Sequence, residues 1–135
     1  MSSFHLEILT PFGHYFKGDV EYLEFKNPEG VLGILPRHTP IITPVVLCKM
    51  VIKINGKKHS YATSGGLFNM KKDNTASMML QTIERSDEID VERAKQAIER
   101  AKKRISVNKA NLNMKRAEDS IKRAENRISV ASDKE

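Results

Sequence analysis

The chain has 135 residues, 39% of them hydrophobic, carries a formal net charge of +6 and contains one cysteine, Cys48. That length supports one modest core with an appendage, a lone cysteine excludes an internal disulfide, and no apolar run approaches the roughly 20 residues needed to cross a bilayer. The start, Met1-Ser2-Ser3-Phe4-His5, has neither the basic nor the apolar region of a signal peptide, so a cytosol-like compartment is expected, with Cys48 as a small buried apolar residue.

From Phe4 to about Glu84 the chain reads as short strands. Phe4, Leu6 and Ile8 alternate with His5 and Glu7, and Met50, Ile52 and Ile54 alternate with Val51 and Lys53, the period of a strand with one buried face. Asn55-Gly56 directly after the second run predicts a type I′ hairpin turn into the next, His59 to Thr63. Pro11, Gly13, Gly18, Pro28, Gly30, Pro36, Pro40, Pro44, Gly65, Gly66 and Asp73-Asn74 supply further breaks. Closely spaced short strands of this kind predict an antiparallel β-sandwich or barrel over residues 1–85.

Beyond Glu84 there is no Gly or Pro, and the apolar period changes. Val91, Ala94, Ala97, Ile98, Ala101 and Ile105 form one helical stripe, with Asp90 placed to cap its first turn. Met114, Ala117, Ile121, Ala124 and Ile128 form a second, carried by a seven-residue echo from Lys115-Arg116-Ala117 to Lys122-Arg123-Ala124, the spacing of a helix that packs on another helix. A bend over Ser106 to Lys109 would close residues 86–135 into an antiparallel two-helix hairpin. Its stripes are rich in alanine, so it buries little, and it is expected to be marginal when undocked and able to leave the β-domain as an extended arm.

The basic balance invites a nucleic-acid reading, because clustered Lys and Arg neutralise phosphates. Arg93, Arg100, Arg104, Arg116, Arg123 and Arg127 all fall in the helical part, against Arg37 and Arg85 before it. Against a basic helical nucleic-acid-binding module, Glu92, Glu99, Glu118, Asp119 and Glu125 interrupt both helices, and no aromatic residue follows Phe68 to stack on a base. Nor is there a Gly-rich phosphate loop or a nucleophile elbow. His5, His14, His38 and His59 lack metal-ligand spacing with Cys48 or each other. No catalytic residue, required cofactor or metal is expected.

Four stretches, in this order, resemble the bacterial F-type ATP synthase epsilon subunits: Glu29-Gly30-Val31-Leu32-Gly33-Ile34-Leu35-Pro36-Arg37-His38-Thr39-Pro40, Ser64-Gly65-Gly66-Leu67, Glu88-Ile89-Asp90-Val91-Glu92-Arg93-Ala94, and the Lys-Arg-Ala repeats. The resemblance covers nearly the whole chain. It implies a non-catalytic rotor subunit whose β-sandwich holds the foot of the gamma subunit and the polar loops of the membrane c-ring. It also implies that the helices extend into the alpha/beta catalytic head to inhibit ATP hydrolysis. The expected location is peripheral, on the cytoplasmic face of a bacterial plasma membrane, without insertion; whether the coupled ion is H⁺ or Na⁺ is not written in this chain. His38, in the loop most typical of the family, is expected at the rotor interface or hydrogen-bonded within its own loop. Val31 stands where the family often has an acid, so a carboxylate contact to the c-ring is not carried over to it. Gly33, Gly65 and Gly66 read as structural, at tight turns or close backbone approaches.

Arg93 and Arg100 lie seven apart on one helix face, and Arg116, Arg123 and Arg127 share a face of the other, so guanidinium forks could converge on phosphate in a folded hairpin. Some members of the family bind ATP as a regulatory ligand with a residue set that the resemblance carries onto Glu84, Ile89, Asp90, Arg93, Ala94, Arg100, Arg123 and Arg127. Asp90 and its neighbouring backbone are then adenosine contacts or a helix cap, and the arginines phosphate contacts. The bland alternative is a solvated charged face, or one that meets acidic residues of the catalytic head.

Overall fold

The computed structural model describes residues 2–107 and 114–132. Its strands are β1 (Phe4–Thr10), β2 (Gly13–Val20), β3 (Tyr22–Asn27), β4 (Gly30–Ile34), β5 (Ile41–Val45), β6 (Cys48–Ile54), β7 (Lys57–Thr63), β8 (Gly66–Met70), β9 (Thr75–Leu80) and β10 (Ile83–Arg85). A 3₁₀ turn at Ser86–Glu88 leads into α1 (Val91–Val107), and α2 is Met114–Ala131. The strands form two five-stranded sheets, ordered β2-β1-β9-β8-β5 and β10-β7-β6-β3-β4. The β-sandwich followed by two helices is the expected architecture. One pairing departs from the antiparallel expectation: β1 runs parallel to β9, with Leu6 opposite Ala76 and Ile8 opposite Met78. That pairing joins segments some seventy residues apart and leaves no mark in local periodicity.

The core lies between the sheets. Phe4, Leu6 and Ile8 of β1 are fully buried as their alternation predicts, and they share the interior with Phe25, Met50, Ile52, Phe68 and Met78. Phe25 and Phe68 meet with ring centroids 5.0 Å apart, a separation at which aromatic pairs attract. Cys48 is buried there too, and its burial pushes the thiol pKa up. Asn55 and Gly56 take φ of 50° and 78°, the left-handed pair of a I′ turn, and so place Ile54 opposite Lys57.

The glycines are structural for reasons of space. A Cβ on Gly66 would lie 1.8 Å from the Met79 carbonyl oxygen, and one on Gly65, whose φ is +119°, would lie 2.7 Å from that of Val45. Over Gly33 lies the ring of Tyr22, whose hydroxyl would sit 2.8 Å from an added Cβ.

The β6 alternation holds on the core side but not on the other. Val51 is buried as well, as are Ser60 and Ala62 of β7, because α2 packs across the outer face of β6 and β7. The hairpin has covered what a bare sheet would have left in water. α1 continues through Val107, so Ser106 and Val107 are helical rather than part of a bend; Asn108 and Lys109, the rest of that expectation, lie outside the described residues.

Candidate functional site

The hairpin docks through the second half of α2. Val130 is fully buried in a small cluster with Ala62 of β7 and Ile89 at the root of α1, and Ala131 packs on it. Asn126 donates Nδ2–H to the Cys48 carbonyl, 3.0 Å away. Arg127 closes the seam on Glu84 of β10: Nη2–H donates to Oε2 at 2.9 Å, while Nε lies 2.6 Å from Oε1 in an ion-pair contact with its N–H turned off the oxygen. α1 lies against α2. Ala94, Ala101 and Ala124 are buried, and Ala97, Ile98, Ala117, Ile121 and Ile128 are partly buried. Thus both predicted stripes face inward over their described residues.

A cleft of about 310 Å³ opens between this part of α2 and the sheet, at the small end of the roughly 300–1,000 Å³ range of ligand sites. Thr63, Ser64, Thr82 and Glu84 line its sheet wall, and Ser120, Arg123 and Arg127 its helix wall. Arg123 donates Nη2–H to Ser120 Oγ at 3.1 Å. On the sheet side the Thr82 hydroxyl donates to Ser64 Oγ at 2.7 Å. Two guanidiniums facing a row of hydroxyls form a surface that can hydrogen-bond phosphate oxygens.

The eight residues carried over for ATP fall into three groups. Glu84, Arg123 and Arg127 share this cleft. Ile89, Asp90, Arg93 and Ala94 stand at the start of α1, where Asp90 Oδ1 accepts the Arg93 backbone N–H at 3.0 Å and so caps the helix, while Ile89 and Ala94 are buried. The third group is Arg100, which lines a groove along α1 with Glu92 and Glu99. The helix cap and the cleft are therefore visible, and one row of converging guanidiniums is not. Among the described residues, no three His, Cys, Asp or Glu side chains gather to hold a metal ion.

Among the described residues, the outer face of the first sheet carries no helix contact comparable to that on the second. There the register lines up Leu9 with Met79, Met79 with Leu67, and Leu67 with Pro44, an apolar row across four strands. Met79 is 60% exposed and nearby Ile42 68%. Leu9, Leu67 and Met79 also line a groove of about 400 Å³. Of the predicted rotor residues, Val31 projects from edge strand β4 at 64% exposure. His38 is partly buried, donates its backbone N–H to Leu35 O at 3.1 Å, and has Nδ1 2.7 Å from Thr39 O. The loop around it is pinned by Asn74, whose Oδ1 accepts the Arg37 N–H at 2.6 Å and whose Nδ2–H donates to Ser3 O at 2.9 Å.

Sequence reasoning passed over Val130, Asn126 and Asn74 as functional positions. Val130 lies off the heptad seam, and only its apolar character near the end of α2 could have drawn attention to it. Asn74 was legible as a turn former, not as the pin of a loop 37 residues away.

Residues 3–86 match the beta-sandwich domain, and residues 87–132 the long alpha-helix domain, of the ATP synthase delta/epsilon chain. The ATP synthase epsilon chains of Ruminococcus albus and Halalkalibacterium halodurans are each 39% identical to this chain over 97 residues, 72% of either partner. The fold also resembles a chain in a cryo-EM structure of the Euglena gracilis mitochondrial ATP synthase, OSCP/F1/c-ring. That likeness has a TM-score of 0.78 at 18% identity and covers 93% of this chain and 79% of that one. In a Tetrahymena thermophila mitochondrial ATP synthase central stalk/c-ring structure the TM-score is 0.58 at 15% identity, with 95% and 92% covered. A β-sandwich carrying a docked helix pair, matched along its length by these two domains, defines a delta/epsilon-type subunit of ATP synthase. The chain belongs to the ATP synthase epsilon chain family, a subunit of that enzyme and not itself the catalyst.

Proposed function

We propose that this chain is a rotor subunit of the central stalk, coupling ion flow to ATP synthesis by docking its sandwich on the gamma subunit and the c-ring. The observation that carries this is the Leu9–Met79–Leu67–Pro44 row. It is a contiguous apolar strip on a sheet face that the described parts of α1 and α2 do not cover, and large exposed apolar patches mark protein interfaces. We assign the strip to gamma and the Val31–His38 end to the c-ring loops. No described helix is long and apolar enough to cross a membrane. The subunit would be held peripherally, on the cytoplasmic face of the bacterial plasma membrane, through these partners. In a titration of the gamma subunit by calorimetry, Met79→Asp should weaken association by about thirtyfold or more, the effect of losing a hot-spot contact of ~2 kcal/mol. Unchanged affinity for both Met79→Asp and Leu67→Asp would remove the strip from the interface.

The second part of the proposal concerns the hairpin. Its docked form binds ATP, with Arg123 and Arg127 toward the phosphates and the Ile89–Ala94 segment toward the adenosine. Its extended form reaches the alpha/beta head and restrains hydrolysis. A ligand shifts such an equilibrium only through differential affinity, so ATP would favour the docked, non-inhibitory arm. The support is the basic, hydroxyl-lined cleft, which exists only while α2 is docked. Calorimetric titration with ATP and ADP, with Arg93→Ala and Arg123→Ala alongside, tests it: both substitutions should weaken binding, and no binding at millimolar nucleotide would refute it.

A further inference from the structure

Strand pairing brings several turns to one end of the sandwich. Phe4 lies opposite Val20, His5 opposite Thr75, Ile41 opposite Met70 and Tyr22 opposite Lys53. The β4–β5 loop, the β6–β7 turn and the β8–β9 turn therefore meet at the end where β1 begins. Glu21 alone links β2 to β3, so the ends of the two sheets adjoin there. Hydrogen bonds tie the turns together: Gly56 donates its N–H to Glu21 Oε1 at 2.6 Å, and Asn74 joins the Arg37 and Ser3 backbones.

This end is basic. Arg37, Lys57, Lys58, Lys71 and Lys72 are exposed there. Lys53 stands directly opposite Lys58, a like-charge pairing that a sheet does not favour on its own. The acids nearby are engaged within their own turns and strands: Glu21 with Gly56, Asp73 with the Thr75 hydroxyl and Asp19 with His5. In the connections at the opposite end, residues 11–12, 28–29, 46–47, 64–65 and 81–82, only Glu29 is charged. Lysines on separate turns form a broad rim, whereas one compact phosphate is best held by paired guanidinium donors. The two lysine-bearing turns, residues 55–58 and 71–74, hold no apolar side chain to insert into a bilayer and no aromatic to stack on a base. Such a rim suits a plane of phosphates, and an anionic lipid surface attracts it by about fivefold in affinity per lysine.

We infer that this basic end of the sandwich rests on anionic lipid headgroups beside the c-ring. The inference rests on the reading that puts His38 at the c-ring loops, because the His38 loop belongs to the same end. The contact is made by charge without insertion, and it weakens as salt rises.

The test is sedimentation of the intact chain with vesicles of phosphatidylcholine and phosphatidylglycerol, against vesicles of phosphatidylcholine alone, at low and at physiological salt. Wild type should bind only the anionic vesicles, and less tightly at the higher salt. Lys57→Gln, Lys58→Gln, Lys71→Gln and Lys72→Gln together should weaken that binding by about a hundredfold or more. Lys95→Gln, Lys102→Gln, Lys115→Gln and Lys122→Gln together remove the same charge from exposed helix positions and should weaken it by less than about tenfold. The urea midpoint of each variant reports that the sandwich remains folded.

No binding of wild type to the anionic vesicles, or equal losses in the two quadruple variants, would overturn the lipid contact while leaving the rotor reading in place. Association with a c-ring–gamma complex in neutral detergent, where no anionic lipid is present, tests that reading separately. The turn variant should join the complex as wild type does. A loss there as large as on vesicles would assign the lysines to the protein partners and overturn the lipid contact. Failure of wild type to join the complex would remove the rotor reading, and with it the place beside the ring.

Discussion

The two halves of this molecule are held together by unequal amounts of the same force. Between the sheets lie Phe4, Phe25, Phe68, Leu6, Ile8, Met50 and Met78, all essentially without solvent exposure. Among the described residues of α1 and α2 the buried side chains are Ala94, Ala101, Ala124 and Val130. Burial contributes about 0.8 kcal/mol per CH₂, while ordering a residue's backbone costs about 1–2 kcal/mol. Large side chains carry the sandwich past that cost, and alanines do not carry a helix pair past it. The hairpin therefore depends on its seam with the sandwich: Val130, the Asn126–Cys48 hydrogen bond and the Arg127–Glu84 pair. The sandwich is thus the heavily packed half, and the hairpin the half held by a few contacts.

Substitutions that strike one half and spare the other test this comparison. The largest effect belongs to the core. Phe68→Ala should cost about 3–5 kcal/mol and lower the urea midpoint of the whole sandwich; a shift below 1 kcal/mol would mean that Phe68 is not central to it. Next comes Gly66→Ala, which drives a Cβ into the Met79 carbonyl and should cost about 1–3 kcal/mol as overpacking, read in the same unfolding experiment. Asn74→Ala removes the hydrogen bond from Arg37 N–H that pins the His38 loop and the one by which Asn74 is held on Ser3 O. It should cost about 1–3 kcal/mol and quicken amide exchange at Arg37 and His38 specifically. Val130→Ala should cost about 1–2 kcal/mol and open α2 to exchange while leaving the urea midpoint of the sandwich in place. A drop in that midpoint equal to the loss in α2 would merge the two halves into one unit.

Much of the sandwich was legible because its cues are local. Asn55-Gly56 announces a turn in which both residues need positive φ, and Phe4, Leu6 and Ile8 announce a buried face. Asp90 announces a cap, and the cap is there. What local cues could not supply was anything that depends on the hairpin lying over β6 and β7. Val51 falls on the solvent side of its strand's alternation and is nonetheless buried, and Ala62 of the neighbouring strand is buried against Val130 of α2. The parallel pairing of β1 with β9 was hidden for the same reason, since it joins distant segments. Glu84 and Arg127 were both singled out, as two contacts of one ligand; the structure pairs them with each other across 43 residues of chain. The resemblance singled out both positions, and the geometry shows that they meet each other.

The smallest predicted effect lies at the hinge between the halves. Tyr15 of β2 donates its hydroxyl to Glu88 Oε1 at 3.4 Å, just before α1, and its ring meets Tyr61 edge-on at 6.2 Å. Burial, and after it the Glu88 carboxylate, pushes the phenol pKa from 10.0 up to about 12. A folded value above the unfolded one means that the protonated phenol is favoured in the fold. Its stabilisation is therefore complete below pH 10 and is lost as the pH rises through about 12. Tyr15→Phe should flatten that alkaline loss in pH-dependent unfolding; an identical alkaline limb would assign it to other groups.

The most direct test of the central claim is native-state amide hydrogen exchange of the intact chain over a series of low urea concentrations. The account predicts two units: α1 and α2 opening together at low free energy with little urea dependence, and β1, β6, β8 and β9 opening only with global unfolding. Exchange of helices and strands along a single isotherm would contradict it, and the hairpin would then be part of the core rather than an arm laid upon it.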